Sequence, residues 1–317
     1  MKLHPNREGN MEASWLDLHR RGELKRRAEA AVRALTECRL CPRSCGRNRL
    51  ADERGWCRTG RKARVASFHA HFGEESPLVG SVGSGTIFIS SCNLLCTFCQ
   101  NDDISHGREG DDVEPVHLAA MMLGLQERGC PNINFVTPSH VVPQILEGLL
   151  IAADNGLRVP LVYNTGGYDA VDTLRLLDGI VDIYMPDFKF WDNEWGERFC
   201  GVRDYRERAC EAIREMHRQV GDLSLDDEGV AVRGLLVRHL VMPGGAAGTP
   251  DVMAFLAGLS PYTYVNVMDQ YHPCGRGAAD PLINRRITAQ EYAAAVRAAL
   301  DSGLHRLDDR ERRRRRL

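Results

Sequence analysis

No stretch of the chain approaches the unbroken apolar run that a membrane span needs, so a membrane partner is not expected. A strong charge of either sign is also missing. The formal net charge is −2, which argues against a general nucleic-acid binder and against a strongly acidic protein. The first residues carry no signal-peptide pattern, and with eleven cysteines this leads to the expectation of a reducing, cytoplasmic setting in which thiols bind metals and do not pair as disulfides. What is present is 317 residues at 43% apolar composition, enough to bury a full core: one α/β unit with an appended segment.

The chemistry gathers around Thr86 to Ser105, TIFISSCNLLCTFCQNDDIS. Thr86 to Ser90 reads as a buried strand, which places Cys92, Cys96 and Cys99 on the loop leaving its C-terminal end. Positions i, i+4 and i+7 also share a helix face, and cysteine is an ordinary small core residue. The preceding Gly80-Ser-Val-Gly-Ser-Gly85 run favours a strand followed by a loop. A four-iron cluster normally takes one cysteine per iron, so three thiolates imply one iron left open for a ligand, and an open metal position is where chemistry occurs.

A second set precedes it: Cys38, Cys41 and Cys45, then Cys57 after Gly55-Trp56. Four thiolates can close a zinc site or hold a second, auxiliary iron–sulfur cluster, and the spacing does not choose between them; the alternative is unligated loop cysteines. Read as a separate site, this block predicts that losing Cys41 leaves the main cluster assembled. Cys200 and Cys210 read as packing residues, and Cys274 as a loop thiol near the site.

Residues 1–37 show helical spacing broken at Gly22 and predict a helical extension on the outside of the main unit. Residues 38–72 form the Cys-rich segment and end in a candidate edge strand, 64–72, whose His69 and His71 follow ordinary strand alternation. From 73 to 304, strand patterns at 86–91, 132–137, 159–164, 180–187, 234–242 and 262–269 alternate with helical patterns at 115–128, 142–155, 169–178, 204–220, 251–258 and 288–301. Six strand–helix units predict an α/β fold with a parallel sheet covered by helices, a partial (β/α)6 TIM-like barrel short of eight-fold closure. Polar residues gather at the expected strand ends, where sites of such folds form; singly, each is accounted for by turn chemistry. The segment 305–317, with Arg310 to Arg316 nearly all arginine, reads as a basic solvated tail.

Cys92-x3-Cys96-x2-Cys99 with Phe98 before the last cysteine resembles the signature of radical S-adenosylmethionine (radical SAM) enzymes. Together with Cys38-x2-Cys41-Pro42-x2-Cys45, Gly83-Ser-Gly-Thr-Ile-Phe88, Cys96-Thr-Phe-Cys-Gln-Asn101 and Asp187-Phe-Lys189, the chain is similar to the branch related to pyruvate formate-lyase activating enzyme over roughly residues 38 to 300. The resemblance implies a partial radical SAM barrel. It also implies a [4Fe-4S] cluster on Cys92, Cys96 and Cys99, and SAM cleaved to a 5′-deoxyadenosyl radical that abstracts hydrogen from a protein or peptide. The electron donor would be of flavodoxin or ferredoxin type.

Residue by residue, Thr137 stands where family members carry a Gly-Gly-Glu-type stretch against the SAM amino group. Asp187 and Lys189 match the Asp-x-Lys pair of activases, in which the lysine approaches SAM. Met185 and Asp187, with Asn164 and Thr165, match a monovalent-cation site. Arg238 would face the SAM carboxylate, a pairing also expected physically. His272 would face the adenosyl group or the substrate. Two other functions stay open: radical SAM modification of a small metabolite, and non-enzymatic electron transfer.

Overall fold

The computed structural model describes residues 12–308. The expected Arg310–Arg316 tail lies outside these. Ten strands form one sheet: β1 Ala63–His71, β2 Ser84–Ile89, β3 Asp111–Val113, β4 Ile133–Val136, β5 Leu161–Thr165, β6 Ile183–Pro186, β7 Ser224–Leu225, β8 Ala231–Leu240, β9 Tyr264–Met268 and β10 Arg306–Leu307. The helices are α1 Trp15–Arg20, α2 Glu23–Arg33, α3 Ser76–Val79, α4 Asp102–Ser105, α5 Pro115–Glu127, α6 Val142–Asp154, α7 Val171–Leu176, α8 Asn193–Cys200, α9 Tyr205–Val220, α10 Thr249–Leu259 and α11 Ala289–Asp301.

The fold is α/β, with an open, mostly parallel sheet in the order β10-β9-β8-β6-β5-β4-β2-β1-β3 and β7 paired to β8. The six strands expected from periodicity are β2, β4, β5, β6, β8 and β9, all parallel neighbours. Three expectations need correction. The strand after the Cys-rich block is covered along its first third, because β3 pairs antiparallel with Ala63 to Val65. The expected break at 72/73 falls between paired strands, since β1 runs antiparallel to β2. The tail expected from 305 begins inside the sheet, with β10 paired to β9.

Alternation along the strands creates two different faces. On the helix-covered face, Ile87, Phe135, Tyr163, Tyr184, Val237 and Val265 belong to the main apolar core. On the other face Val162, Ile183, Met185 and Leu236 pack with Leu78 of α3. In-register partners on that same face are polar: Thr86 lies beside Asn134, and Arg238 beside Asn266. Register sets the two kinds side by side: Asn134 pairs with Val162 and Asn164 with Met185, so hydrocarbon fills the β5, β6 and β8 side of this face while hydrogen-bonding groups lie on β2 and β4 and toward the strand ends. The N-terminal helices sit outside as expected, α2 on α6, broken from α1 by Gly22 at φ 71°. Ser14 ties them down by donating its N–H and hydroxyl to Asp182 Oδ1 at 2.8 and 2.6 Å. Among the described residues no helix is long and apolar enough to cross a membrane.

Candidate functional site

A cavity of about 430 Å³ opens at the C-terminal ends of the parallel strands. The sequence placed Cys92, Cys96, Cys99, Thr137, Asn164, Thr165, Asp187, Lys189 and Arg238 at the site, and the cavity brings all nine together. Met185 and His272 are absent from its lining. Met185 belongs to the apolar cluster with Ile183 and Val162. His272 lies beyond the end of β9, with Nδ1 3.3 Å from Gln270 O; Met268 and Gln270 occupy the lining instead.

The cysteines sit on an irregular loop between β2 and α4, as expected, and not on a helix. Ser91 and Leu95, immediately before Cys92 and Cys96, have φ of 73° and 55°, and Thr137 at the end of β4 has φ 64°. Such left-handed conformations in residues with a Cβ cost roughly 1 kcal/mol or more each and persist where surroundings over-determine them. The loop is indeed pinned: Thr97 N–H donates to Phe199 O at 2.8 Å, and Gly277 N–H to Thr97 O at 2.7 Å. The Phe98 ring meets Phe190 and Phe199 edge-on at 5.7 and 6.1 Å. Close approach matters on the other side, where a Cβ on Gly166 would stand 2.8 Å from Leu94 Cδ1.

Each of the three sulfurs accepts a hydrogen bond. Leu94 N–H donates to Cys92 Sγ at 3.3 Å, Ser105 Oγ to Cys99 Sγ at 3.2 Å, and Cys200 Sγ to Cys96 Sγ at 3.3 Å. In the protein alone, burial pushes the Cys92 thiol up to about 12. The Cys200 contact, then burial, raises Cys96. Hydrogen bonds aimed at the three sulfurs, Cys96 buried and Cys92 and Cys99 half-buried, fit thiolates held by positive iron, which would reverse those shifts.

Below the loop lies a network of charges that was only partly foreseen. Asp187 Oδ2 pairs with Lys189 Nζ at 2.6 Å, and Oδ1 accepts from Arg238 Nε at 2.8 Å. Arg238 Nη2 donates to Asn164 Oδ1 at 2.7 Å, and its Nη1 lies 3.5 Å from Glu74 Oε1 and 3.8 Å from Glu75 Oε2. Glu74 Oε2 accepts from Asn134 Nδ2 at 2.6 Å, and Glu75 Oε1 from Asn266 Nδ2 at 2.9 Å. Glu75 Oε2 is buried without a hydrogen bond. Burial drives the Glu75 carboxyl up to about 8, against the pull of Arg238. Burial acts the same way on Asp187, but Arg238 and Lys189 override it and hold that carboxyl below its usual range. Lys189 is raised well above the lysine range, because Asp187 outweighs its burial.

Glu74, Glu75 and Tyr205 were not singled out from the sequence. The two glutamates stand in a Gly-Glu-Glu-Ser-Pro turn, where charge is unremarkable; only paired acids beside a glycine-rich approach to the cysteines hinted at more. Tyr205 is wholly buried; its hydroxyl donates to Gly166 O at 2.9 Å and accepts from Lys189 N–H at 2.9 Å, fixing two strand ends together. Thr165 is engaged by a buried acid, donating to Asp169 Oδ2 at 2.6 Å. The guanidinium of Arg238 is the positive group lying between Asn164 and Asp187, where a monovalent cation was expected.

Cys38, Cys41, Cys45 and Cys57 face a second, much smaller cavity with Arg49 and His140. Burial first, then the other three thiols, pushes Cys41 up to about 12. Arg49 Nη1 donates toward Cys38 Sγ at 3.6 Å and to His140 O at 2.8 Å. Arg49 Nη2 and His140 Nδ1 are buried without partners. Polar atoms left so around four sulfurs fit a site that holds a charged group. Among the described residues, no three His, Cys, Asp or Glu side chains are gathered as a group able to hold a single metal ion. Cys274 donates to Phe98 O at 3.1 Å, and Cys210 is buried on α9.

No family model matches the chain. An uncharacterized protein of Methanocaldococcus jannaschii is 34% identical over 281 residues, covering 86% of this chain and 77% of that one. The chain belongs to the family of this archaeal protein.

Proposed function

We propose that the protein is a radical SAM enzyme built on a partial (β/α)6 barrel and acting in a cytoplasmic setting. The observation that carries this reading is the set of three cysteine sulfurs, each with its own hydrogen-bond donor, lining one cavity at the strand ends of a parallel sheet. Cys92, Cys96 and Cys99 would hold a [4Fe-4S] cluster, and the open iron would take the amino and carboxylate groups of SAM. When bound, cluster and SAM supply a 5′-deoxyadenosyl radical that removes a hydrogen atom from the substrate, while the protein binds, orients and excludes water.

The chain's own residues divide that work. Lys189 is held charged by Asp187 and lies toward Cys96 and Cys99, where it balances the negative charge of thiolates and of a carboxylate. Tyr205 fixes the backbone of Lys189 against Gly166. Arg238 is neutralised by Asp187 and the two glutamates, so its part is to hold the floor of the cavity. The four-cysteine block would carry zinc or an auxiliary iron–sulfur cluster. A flavodoxin- or ferredoxin-type protein would supply electrons, and neither membrane nor nucleic acid takes part.

The substrate proposed is a protein or peptide, as for glycyl-radical activases. A small metabolite is the second reading, favoured by the Glu74, Glu75 and Arg238 side chains that line the cavity, a charged floor suited to a compact polar molecule. The test is anaerobic reconstitution with iron and sulfide, reduction, addition of SAM and assay of 5′-deoxyadenosine. Wild type should form it and Cys96→Ala should not, having lost one of three iron ligands. Deoxyadenosine from the Cys96→Ala protein, or a reduced wild-type cluster that neither binds nor cleaves SAM, would refute the assignment and leave electron transfer.

A further inference from the structure

The two cysteine sets are joined by one side chain. Arg43 lies between Cys41 and Cys45, inside a turn closed by Ser44 N–H to Cys41 O and by Gly46 N–H to Cys38 O, both at 3.0 Å. Its guanidinium leaves that turn and donates to four carbonyls elsewhere in the chain. Nε reaches Asn93 O at 2.9 Å and Nη2 reaches Leu94 O at 3.3 Å. Nη2 also reaches Cys200 O, and Nη1 Gly201 O, both at 2.8 Å.

Asn93 and Leu94 are residues between Cys92 and Cys96. Cys200 and Gly201 close the C-terminus of α8, where a cation is favoured by the helix dipole and satisfies orphan carbonyls. Cys200 is also the residue whose thiol donates to Cys96 Sγ. A single guanidinium thus fixes the backbone of the three-cysteine loop and the helix end that supplies one of its sulfur hydrogen bonds. The outer face of Arg43 is covered by Trp56, with the guanidinium carbon 3.9 Å from the ring centroid. Trp56 immediately precedes Cys57. The clamp and the ring that covers it are therefore both placed by the four-cysteine block, Arg43 midway between Cys41 and Cys45 and Trp56 next to Cys57.

We infer that the four-cysteine block works as an ordering site for the radical loop: a metal group bound to Cys38, Cys41, Cys45 and Cys57 sets Arg43 and Trp56, and Arg43 sets the loop that holds Cys92 and Cys96. Arg43 is a positioning residue. The inference rests on the reading that both sets take metal, and it reverses the expectation that losing Cys41 leaves the main site untouched. Coupling of this kind is reciprocal, so a loaded main site also strengthens metal binding by the block.

The test uses the full chain in two measurements. The first needs no iron–sulfur cluster: amide hydrogen exchange of residues 92–99 is compared with and without zinc. Zinc should slow exchange in wild type, and should do so far less in Arg43→Gln and in the Cys41→Ala/Cys45→Ala protein. The second follows anaerobically reconstituted protein under chelator, with the reduced cluster read by electron paramagnetic resonance. The chelator concentration that removes half the signal should fall about fivefold or more in both variants, the lower end of coupling between two sites.

Zinc uptake by Arg43→Gln in a Cys92→Ala/Cys96→Ala/Cys99→Ala background should match that background alone, which shows that the block itself is intact. Equal exchange in all proteins, or a cluster as chelator-resistant in Arg43→Gln as in wild type, overturns the inference, as does loss of zinc from that background on changing Arg43. Should Arg43→Gln not fold, Trp56→Ala removes one face of the clamp and gives the same comparison with a smaller shift. If wild type assembles no cluster, the enzymatic reading fails and the exchange measurement still decides the clamp.

Discussion

Replacing Arg238 with methionine keeps much of its length and removes a guanidinium that faces three buried carboxylates. Arg238 and Asp187 side chains are 17% and 15% exposed, and those of Glu74 and Glu75 8% and 4%. Asp187 keeps Lys189, Glu74 keeps Asn134, and Glu75 keeps the neutral amide of Asn266. Removing one partner of a buried ionic set costs about 3–5 kcal/mol, because the remaining charges stay desolvated. At about 2 °C per kcal/mol for a chain of this size, the melting temperature should drop by about 6–10 °C. The double change Arg238→Met/Glu74→Gln should recover part of this, about 1–2 kcal/mol, since a neutral amide needs no counter-charge. Urea unfolding monitored by circular dichroism on the four proteins of the cycle gives the coupling directly. A loss below about 1 kcal/mol for Arg238→Met would show that water reaches the carboxylates and that no desolvated network exists.

Glu75 gives a pH signature. Its folded pKa, about 8, is raised above the ordinary 4.5, so its contribution to stability is complete below 4.5 and is lost as pH rises through about 8. Glu75→Gln should therefore lose less stability than wild type between pH 5 and pH 8, with Glu74, Asp187, Lys189 and Arg238 the other charged groups nearby; parallel melting curves would count against a buried neutral acid. Gly167 has φ 79°, and a Cβ there would lie 2.2 Å from Asp187 O, so Gly167→Ala should cost at least about 2 kcal/mol by urea unfolding; a near-neutral result would mean the strand ends move freely. Thr288 caps α11 through Glu291 N–H at 3.1 Å, and Thr288→Ala should cost about 1 kcal/mol without changing deoxyadenosine yield.

The main unit of the fold was legible because it is written in local periodicity. Strand patterns marked all six central parallel strands, and helical spacing marked α5, α6, α7, α9, α10 and α11, Pro115 and Pro143 standing in the first turns of α5 and α6, while the short α4 and α8 went unmarked. The cysteine loop was legible for a different reason: packing alone seldom sets three thiols at short fixed spacing directly after a strand. Glu74 and Glu75 were not, because nothing local separates them from turn residues, and their meaning comes from Asn266, 191 positions away from Glu75. Arg43 was hidden likewise among Pro42 and Ser44, as a spacer between cysteines. His272, which the resemblance put at the site, falls outside the cavity lining, four residues past the end of β9 at Met268.

The hydrocarbon layer formed by Leu78, Val162, Ile183, Met185 and Leu236 has a kinetic consequence. It fills the sheet face beside the glutamates, and Glu75 lines the same cavity as the three cysteines, so traffic to Glu75 passes the level of the cysteines. Two molecules sharing that passage cannot arrive in either order with equal ease: whichever rests against the glutamates must enter before the one that covers it, and must leave after it. Steady-state inhibition patterns for a two-substrate reaction here should accordingly be those of a compulsory sequence.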